Sequence, residues 1–305
     1  MAEIQFHREL AFRYAVLETL SPLVRRVVAR NPSPFTFKGT ATFIVGRGRV
    51  AVVDPGPDLP EHIAALLTAL RGESVEGILV THTHRDHSPA AAAVKAATGA
   101  VTYGYGPHGS GSRGDSGRAP SGPAVEEGGD LAFVPDVRMA EGDALSGPGW
   151  RMTAVHTPGH TSNHLCFALA EERILFSGDH VMGWSTSVIA PPDGDMAAYM
   201  RSLEKLLARE DALYMPTHGP AIPDPKAHVQ AFIAHRKARR AAILRHLAQG
   251  KHSIPELVAA IYVGLPENLR AAAGRSVLAH LIELSAAGEV AADRTPEMNA
   301  RYRLR

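Results

Sequence analysis

The run His82-Thr83-His84-Arg85-Asp86-His87 places four metal-competent side chains within six residues, directly after the apolar segment Gly77-Ile78-Leu79-Val80-Thr81. Imidazole and carboxylate are the donors that suit zinc and other borderline divalent cations. On one loop, so many polar groups have little to bind other than a cation. In extended backbone, residues two apart point the same way, so His82 and His84 can converge on one ion while a turn at Asp86-His87 serves another. Ser88-Pro89 reads as an N-cap followed by the first helical residue, and Gly99 as a C-terminal stop. The motif is therefore strand, loop, helix.

Three further donors sit at strand-to-loop junctions: His160 after Thr157-Pro158-Gly159, Asp179 after Phe176-Ser177-Gly178, and His218 between Pro216-Thr217 and Gly219-Pro220. With these seven residues the chain resembles the metallo-β-lactamase superfamily. Its binuclear hydrolases use an HxHxDH motif, a His after a Pro-Gly turn, a bridging Asp in an SGD-like turn and a final His before Gly. The resemblance implies an α/β fold, an αββα sandwich. It assigns His82, His84 and His160 to a first metal, Asp86, His87 and His218 to a second, and Asp179 to the bridge. Two divalent ions about 3.5 to 4 Å apart can share a hydroxide and lower its pKa towards about 7. That hydroxide would attack an acyl carbon or a phosphorus, with Asp86 orienting it as a hydrogen-bond acceptor. Zinc is the first expectation, and manganese or iron accepts the same donors. His164, four residues after His160, is the other candidate catalytic residue, and His180 could steady a ligand. The β-lactamases with a cysteine ligand place it where Asp179 stands here, which argues against antibiotic hydrolysis as the native task.

Finer context narrows the family. Asn31-Pro32-Ser33-Pro34, Lys38-Gly39-Thr40-Ala41-Thr42-Phe43, Val53-Asp54-Pro55-Gly56 and Thr217-His218-Gly219-Pro220-Ala221-Ile222 look like the β-lactamase-like protein 2 family. So does a C-terminal winged-helix-like segment, giving a catalytic domain over residues 1–224 and a small, mostly helical domain over 225–305. Members of that family are similar to endoribonucleases acting on single strands. Single-stranded RNA and a small ester are thus the substrates to weigh. A thioester hydrolase like glyoxalase II, or a nucleic-acid-binding module without activity, are the alternatives.

With 305 residues, 45% hydrophobic, the chain can bury a large core, and no run approaches the roughly 18 apolar residues that span a bilayer. The acid-containing start, Met1-Ala2-Glu3-Ile4, lacks the pattern of a secretory or transit peptide, so a cytoplasmic location without membrane association is expected. Oligomeric assembly stays open. One cysteine, Cys166, rules out an internal disulfide and reads as core. The net charge of +1 hides an asymmetry: residues 225–305 carry 13 Lys/Arg against 6 Asp/Glu, with Arg236, Lys237, Arg239 and Arg240 clustered on one helix. Such a face could attract phosphate, although an aromatic content of 6% supplies few stacking partners for bases.

Along the chain, residues 40–45 and 49–53 read as a hairpin around Gly46-Arg47-Gly48, residues 59–70 as a helix, and residues 75–81 as the strand feeding the metal loop. Residues 104–129 hold nine glycines among 26 positions and read as an excursion, either a lid or a disordered tip. Gly104-Tyr105-Gly106-Pro107-His108-Gly109 matches a nucleotide-binding GxGxxG string, but no helix-forming sequence follows to meet a pyrophosphate. Strands are expected near 151–155, 165–170, 173–176 and 213–215, with a helix over 196–208 capped by Asp195. Three helices and a two-stranded ribbon close the chain. His7, His62, His228, His235, His246, His252 and His280 are expected on the surface or partly buried.

Overall fold

The computed structural model describes residues 4–112 and 128–305. One sheet has seven strands in sequence order: β1 (Glu18–Thr19), β2 (Val24–Val28), β3 (Ala41–Arg47), β4 (Arg49–Val53), β5 (Ser74–Leu79), β6 (Thr102–Gly104) and β7 (Val137–Arg138). Its first four strands pair antiparallel; β4 to β7 run parallel. The second sheet contains β8 (Ala144–Gly147), β9 (Trp150–His156), β10 (Leu165–Leu169), β11 (Ile174–Gly178) and β12 (Leu213–Pro216), antiparallel except for the β11–β12 pair.

Alternation along these strands sorts side chains into layers. Phe43, Val45, Ala51, Val53 and Leu79 of the first sheet meet Met152, Phe167, Phe176 and Met215 of the second. The intervening residues face outward. Ile44, Val50, Val52 and Ile78 pack under α1 (Pro60–Ala69) and α2 (Ala91–Thr98). Val155, Cys166, Leu175 and Tyr214 pack under α3 (Met196–Leu207) and the start of α4 (Pro225–Ala248). The chain thus adopts the expected αββα sandwich. Cys166 is fully buried there.

Beyond the sandwich, α5 (Ile254–Ile261), α6 (Glu267–Ala286) and the ribbon of β13 (Val290–Ala292) and β14 (Tyr302–Leu304) form the winged-helix module. Its core is Leu257, Val277, Leu281, Val290 and Tyr302, together with Ile243 and Leu247 from the far end of α4. Helix α4 belongs to both cores: Val229, Phe232 and Ile233 pack on the sandwich. No described helix is long and apolar enough to cross a membrane.

Two local expectations change. Helix α2 starts at Ala91 with Ala90 as N-cap, and the Ser88 hydroxyl donates to Asp130 at 2.7 Å. His62, His228 and His280 are buried rather than on the surface or partly buried. His62 Nε2 lies 2.9 Å from the Pro55 carbonyl oxygen and 3.0 Å from Thr42 Oγ1, which compensates its desolvation. The Gly104 to Gly109 string leads into turns through residue 112, with no helix among the described residues. The lid reading of the glycine-rich excursion falls largely on residues 113–127, outside the described residues.

Candidate metal centre

The C-terminal ends of β4, β5, β11 and β12 converge at one edge of the sandwich, where the sheets are tied by Ala41 N donating to Thr217 O (2.9 Å) and Leu165 N donating to Thr81 O (2.7 Å). Ligands of α/β sheets bind outside the carboxyl ends of strands, and the donors cluster there. His82 Nε2 and His84 Nδ1 are 3.1 Å apart, and His160 Nε2 is 3.2 Å from the same His84 atom. The backbone then turns, His87 N donating to His84 O at 3.0 Å. This swings Asp86 and His87 to the other side, where Asp86 Oδ2 lies 2.9 Å from His218 Nε2 and 3.3 Å from His87 Nε2. Asp179 Oδ2 sits between the two groups, 3.9 Å from His160 Nε2, 3.6 Å from His87 Nε2 and 3.4 Å from His218 Nε2. All seven residues of the sequence motifs are brought together, and all are buried.

Four of the five imidazoles, His82, His87, His160 and His218, are aimed by a partner on the other nitrogen, which fixes tautomer and direction. His160 Nδ1 donates to Val188 O (2.7 Å), His218 Nδ1 to Gly39 O (3.2 Å), and His82 Nδ1 faces Thr81 Oγ1 (3.1 Å). His87 Nδ1 donates to Asp54 Oδ2 at 2.8 Å. Asp54 is the functional residue the sequence reading missed. Fully buried, its carboxylate also accepts from Thr81 N, Thr81 Oγ1 and Thr217 Oγ1. Its φ of +47° places it in the left-handed region, which Asp tolerates. The signal available was an Asp ending a strand before Pro-Gly. Asp86 is likewise held, by Thr40 Oγ1 at 3.2 Å, with Asn31 in turn bonded to Thr40.

His164 lies behind the cluster. Its ring stacks on that of His82, Nδ1 faces Thr157 Oγ1 (2.9 Å), and Nε2 accepts from the backbone N–H of Asp179 (3.2 Å). Both nitrogens are engaged away from the cleft. His180 packs on Tyr199, also away from the cleft. Gly159 allows His160 to reach the site: its φ is +143°, and a Cβ there would lie 2.3 Å from Tyr199 Cα.

The electrostatics suit cations. Burial, reinforced by neighbouring imidazoles, drives His82, His84 and His160 below the usual histidine range, so they stay neutral as ligation requires. Burial opposes charge on His87 and His218 as well. The facing carboxylates overcome it, lifting His87 well above its usual range and His218 up to about 10. Asp86 and Asp179, although desolvated, are held well below the carboxylate range by His87 and His218. With only the protein's own charges, protons on two histidines neutralise the carboxylates. Meanwhile Asp179 Oδ1 is buried without a hydrogen-bond partner among the described residues. An orphaned carboxylate oxygen, neutral imidazoles and ionised carboxylates fit divalent cations.

Most of the clustered cations on α4 have partners within the protein. Arg236 is buried, donates to Ser187 O and lies over the Tyr199 ring. Arg239 donates to Ile261 O and stacks on Tyr262, and Arg240 pairs with Glu283 and Glu289. Three of the four cations hold the module to the sandwich or to itself.

Comparison with known proteins places this geometry. Residues 35–218 match the Metallo-beta-lactamase superfamily and residues 253–297 the Beta-lactamase associated winged helix domain. The chain is 32% identical over 285 residues to the Beta-lactamase-like protein 2 homolog of Drosophila melanogaster, covering 89% of this chain and 90% of that protein. It is 29% identical to the Atrochrysone carboxyl ACP thioesterase nsrC of Aspergillus novofumigatus, over 81% of this chain and 73% of that one. A crystal structure of a metallo-beta-lactamase family protein from Thermus thermophilus superposes with a TM-score of 0.76 at 23% identity, covering 94% of this chain and 100% of that chain.

Proposed function

The chain is a hydrolase belonging to the metallo-beta-lactamase superfamily, and from that premise we propose that it uses two divalent metal ions, zinc first among the metals its donors suit, to hydrolyse small acyl esters, thioesters foremost. The observation that carries this reading is Asp179 Oδ2, which lies within 3.9 Å of a donor from each group. His82, His84 and His160 would hold one ion, Asp86, His87 and His218 the other, with Asp179 shared. When bound, such a pair supplies Lewis-acid polarisation and a water activated at neutral pH. Asp86, on the cleft wall and fixed by Thr40, accepts a hydrogen bond from the attacking water and aligns it with the substrate carbonyl. His164 acts through Asp179, whose backbone it pins. We assign the catalytic unit to residues 1–224 and the module to 225–305, with α4 spanning their contact.

Small acyl substrates are favoured over single-stranded RNA because Arg236, Arg239 and Arg240 already have protein partners. A relative named as an acyl carrier protein thioesterase points the same way. The test is a panel on metal-loaded full-length protein: acyl thioesters, S-lactoylglutathione, labelled single-stranded RNA and a chromogenic β-lactam, with His84→Ala as control. The expected result is thioester turnover that chelation abolishes and metal restores. Inert thioesters alongside cleaved RNA would overturn the substrate assignment; chelator-insensitive turnover would overturn the metal chemistry.

A further inference from the structure

The cleft at the metal centre has an open side. Pro34, Phe35, Trp184, Ser185, Thr186 and Val188 line both this cleft and an adjoining groove of about 410 Å³. The far wall of that groove comes from the winged-helix module: Tyr262, Leu265, Leu269, Ala272, Ala273 and Ser276. Phe37 stacks on Trp184 along its near wall, the rings 4.9 Å apart at 23°. A volume of this order, with apolar and aromatic side chains beside Arg8, His235 and Arg236, is the size that takes up a small organic group.

We infer that this groove receives the apolar acyl group of the substrate, so that the winged-helix module sets acyl-chain selectivity. The inference rests on the hydrolase reading above. Continuity with the metal cleft decides the occupant: a group entering the groove leaves the attached carbonyl beside Asp86 and Asp179. Two of the polar groups there are already engaged, Ser187 Oγ donating to Asp179 O at 2.6 Å and Arg236 donating to Ser187 O, while Arg8 and His235 also line the groove. The apolar side chains of the module wall, Leu265, Leu269, Ala272 and Ala273, are what a hydrocarbon or aryl chain would cover. Leu265 and Leu269 are half-buried, consistent with a wall that gains cover on binding.

The experiment compares straight-chain thioesters of one thiol, acetyl to decanoyl, on the metal-loaded full chain. kcat/KM should rise about fourfold per methylene until the groove is full. Leu269→Gln and Ala273→Trp should each flatten that rise, with melting temperature and metal content reporting whether the variants fold. Rates independent of acyl length, or following the thiol instead, would overturn the inference while leaving the hydrolase reading intact. A second measurement needs no turnover: tryptophan fluorescence titrated with decanoate against acetate. Saturable binding of decanoate, weakened at least tenfold by Leu269→Gln, supports the groove even if no thioester is hydrolysed; equal responses to the two acids would refute it.

Discussion

Replacing Asp54 by Asn should disable one metal position while leaving the other. A carboxylate cannot donate, so His87 Nδ1 must be the donor in their 2.8 Å contact, which makes Nε2, directed at Asp86 and Asp179, the nitrogen that sheds its proton to take an ion. An amide nitrogen in place of Oδ2 would donate to Nδ1 instead, and the imidazole would carry its proton on Nε2, where the ion binds. One of the Thr81 and Thr217 hydroxyls can rotate to accept the amide's second N–H, and the amide oxygen still accepts from Thr81 N, so the fold should survive with one hydrogen bond fewer. Loss of such an orienting partner costs about 10- to 100-fold in metal affinity. Asp54→Ala goes further, leaving three buried donors besides His87 without their acceptor, and should cost about 3 to 5 kcal/mol of stability. The assay is metal content after dialysis against graded chelator, beside thermal melting. The His82, His84 and His160 position should retain its ion. An Asp54→Asn protein that keeps two equivalents with unchanged affinity would refute the argument.

Other outcomes follow from the same geometry. Because His87 and His218 are raised and must be bare to bind metal, loading at neutral pH should release protons; calorimetry in buffers of different ionisation enthalpy would count them. For the metal-free protein the signs give a dome. Stabilisation from the raised histidines is complete below about 6.5 and is lost as pH climbs through about 10 for His218. That from the depressed Asp86 and Asp179 is lost in acid, and the buried neutral His82, His84 and His160 add to the loss below about 6.5. Melting temperature should therefore fall on both sides of neutrality. Gly159→Ala should cost about 1 to 3 kcal/mol by driving a methyl into the Tyr199 backbone and should misplace His160, read as a lower melting temperature and reduced metal content. His164→Ala should weaken metal binding about 10- to 100-fold by freeing the Asp179 backbone, measured by competition with a chromophoric chelator.

The metal loop was legible because its donors are local: six consecutive residues carry a pattern that no fold needs for packing. Asp54 was not, because its partners lie 27, 33 and 163 residues away and meet it only once β4 pairs with β5 and β12 arrives beside them. Strand β2 stayed hidden for an electrostatic reason. Arg25 and Arg26 interrupt its apolar pattern, yet both are buried, neutralised by Glu73 and Glu18. The basic run on α4 was legible as charge and not as contacts, since a sequence does not reveal which cations the fold has already paired. The hairpin over β3 and β4, the Asp195 cap and the C-terminal ribbon were readable because each depends on neighbours in sequence.

Helix α4 makes the two halves of this protein hard to separate. Cutting at residue 224 would strip Val229, Phe232 and Ile233 from the second sheet and leave an oily face in water, so a truncated hydrolase should clump rather than work alone. A graft of a foreign module onto this scaffold would have to enter after that helical turn, not before it.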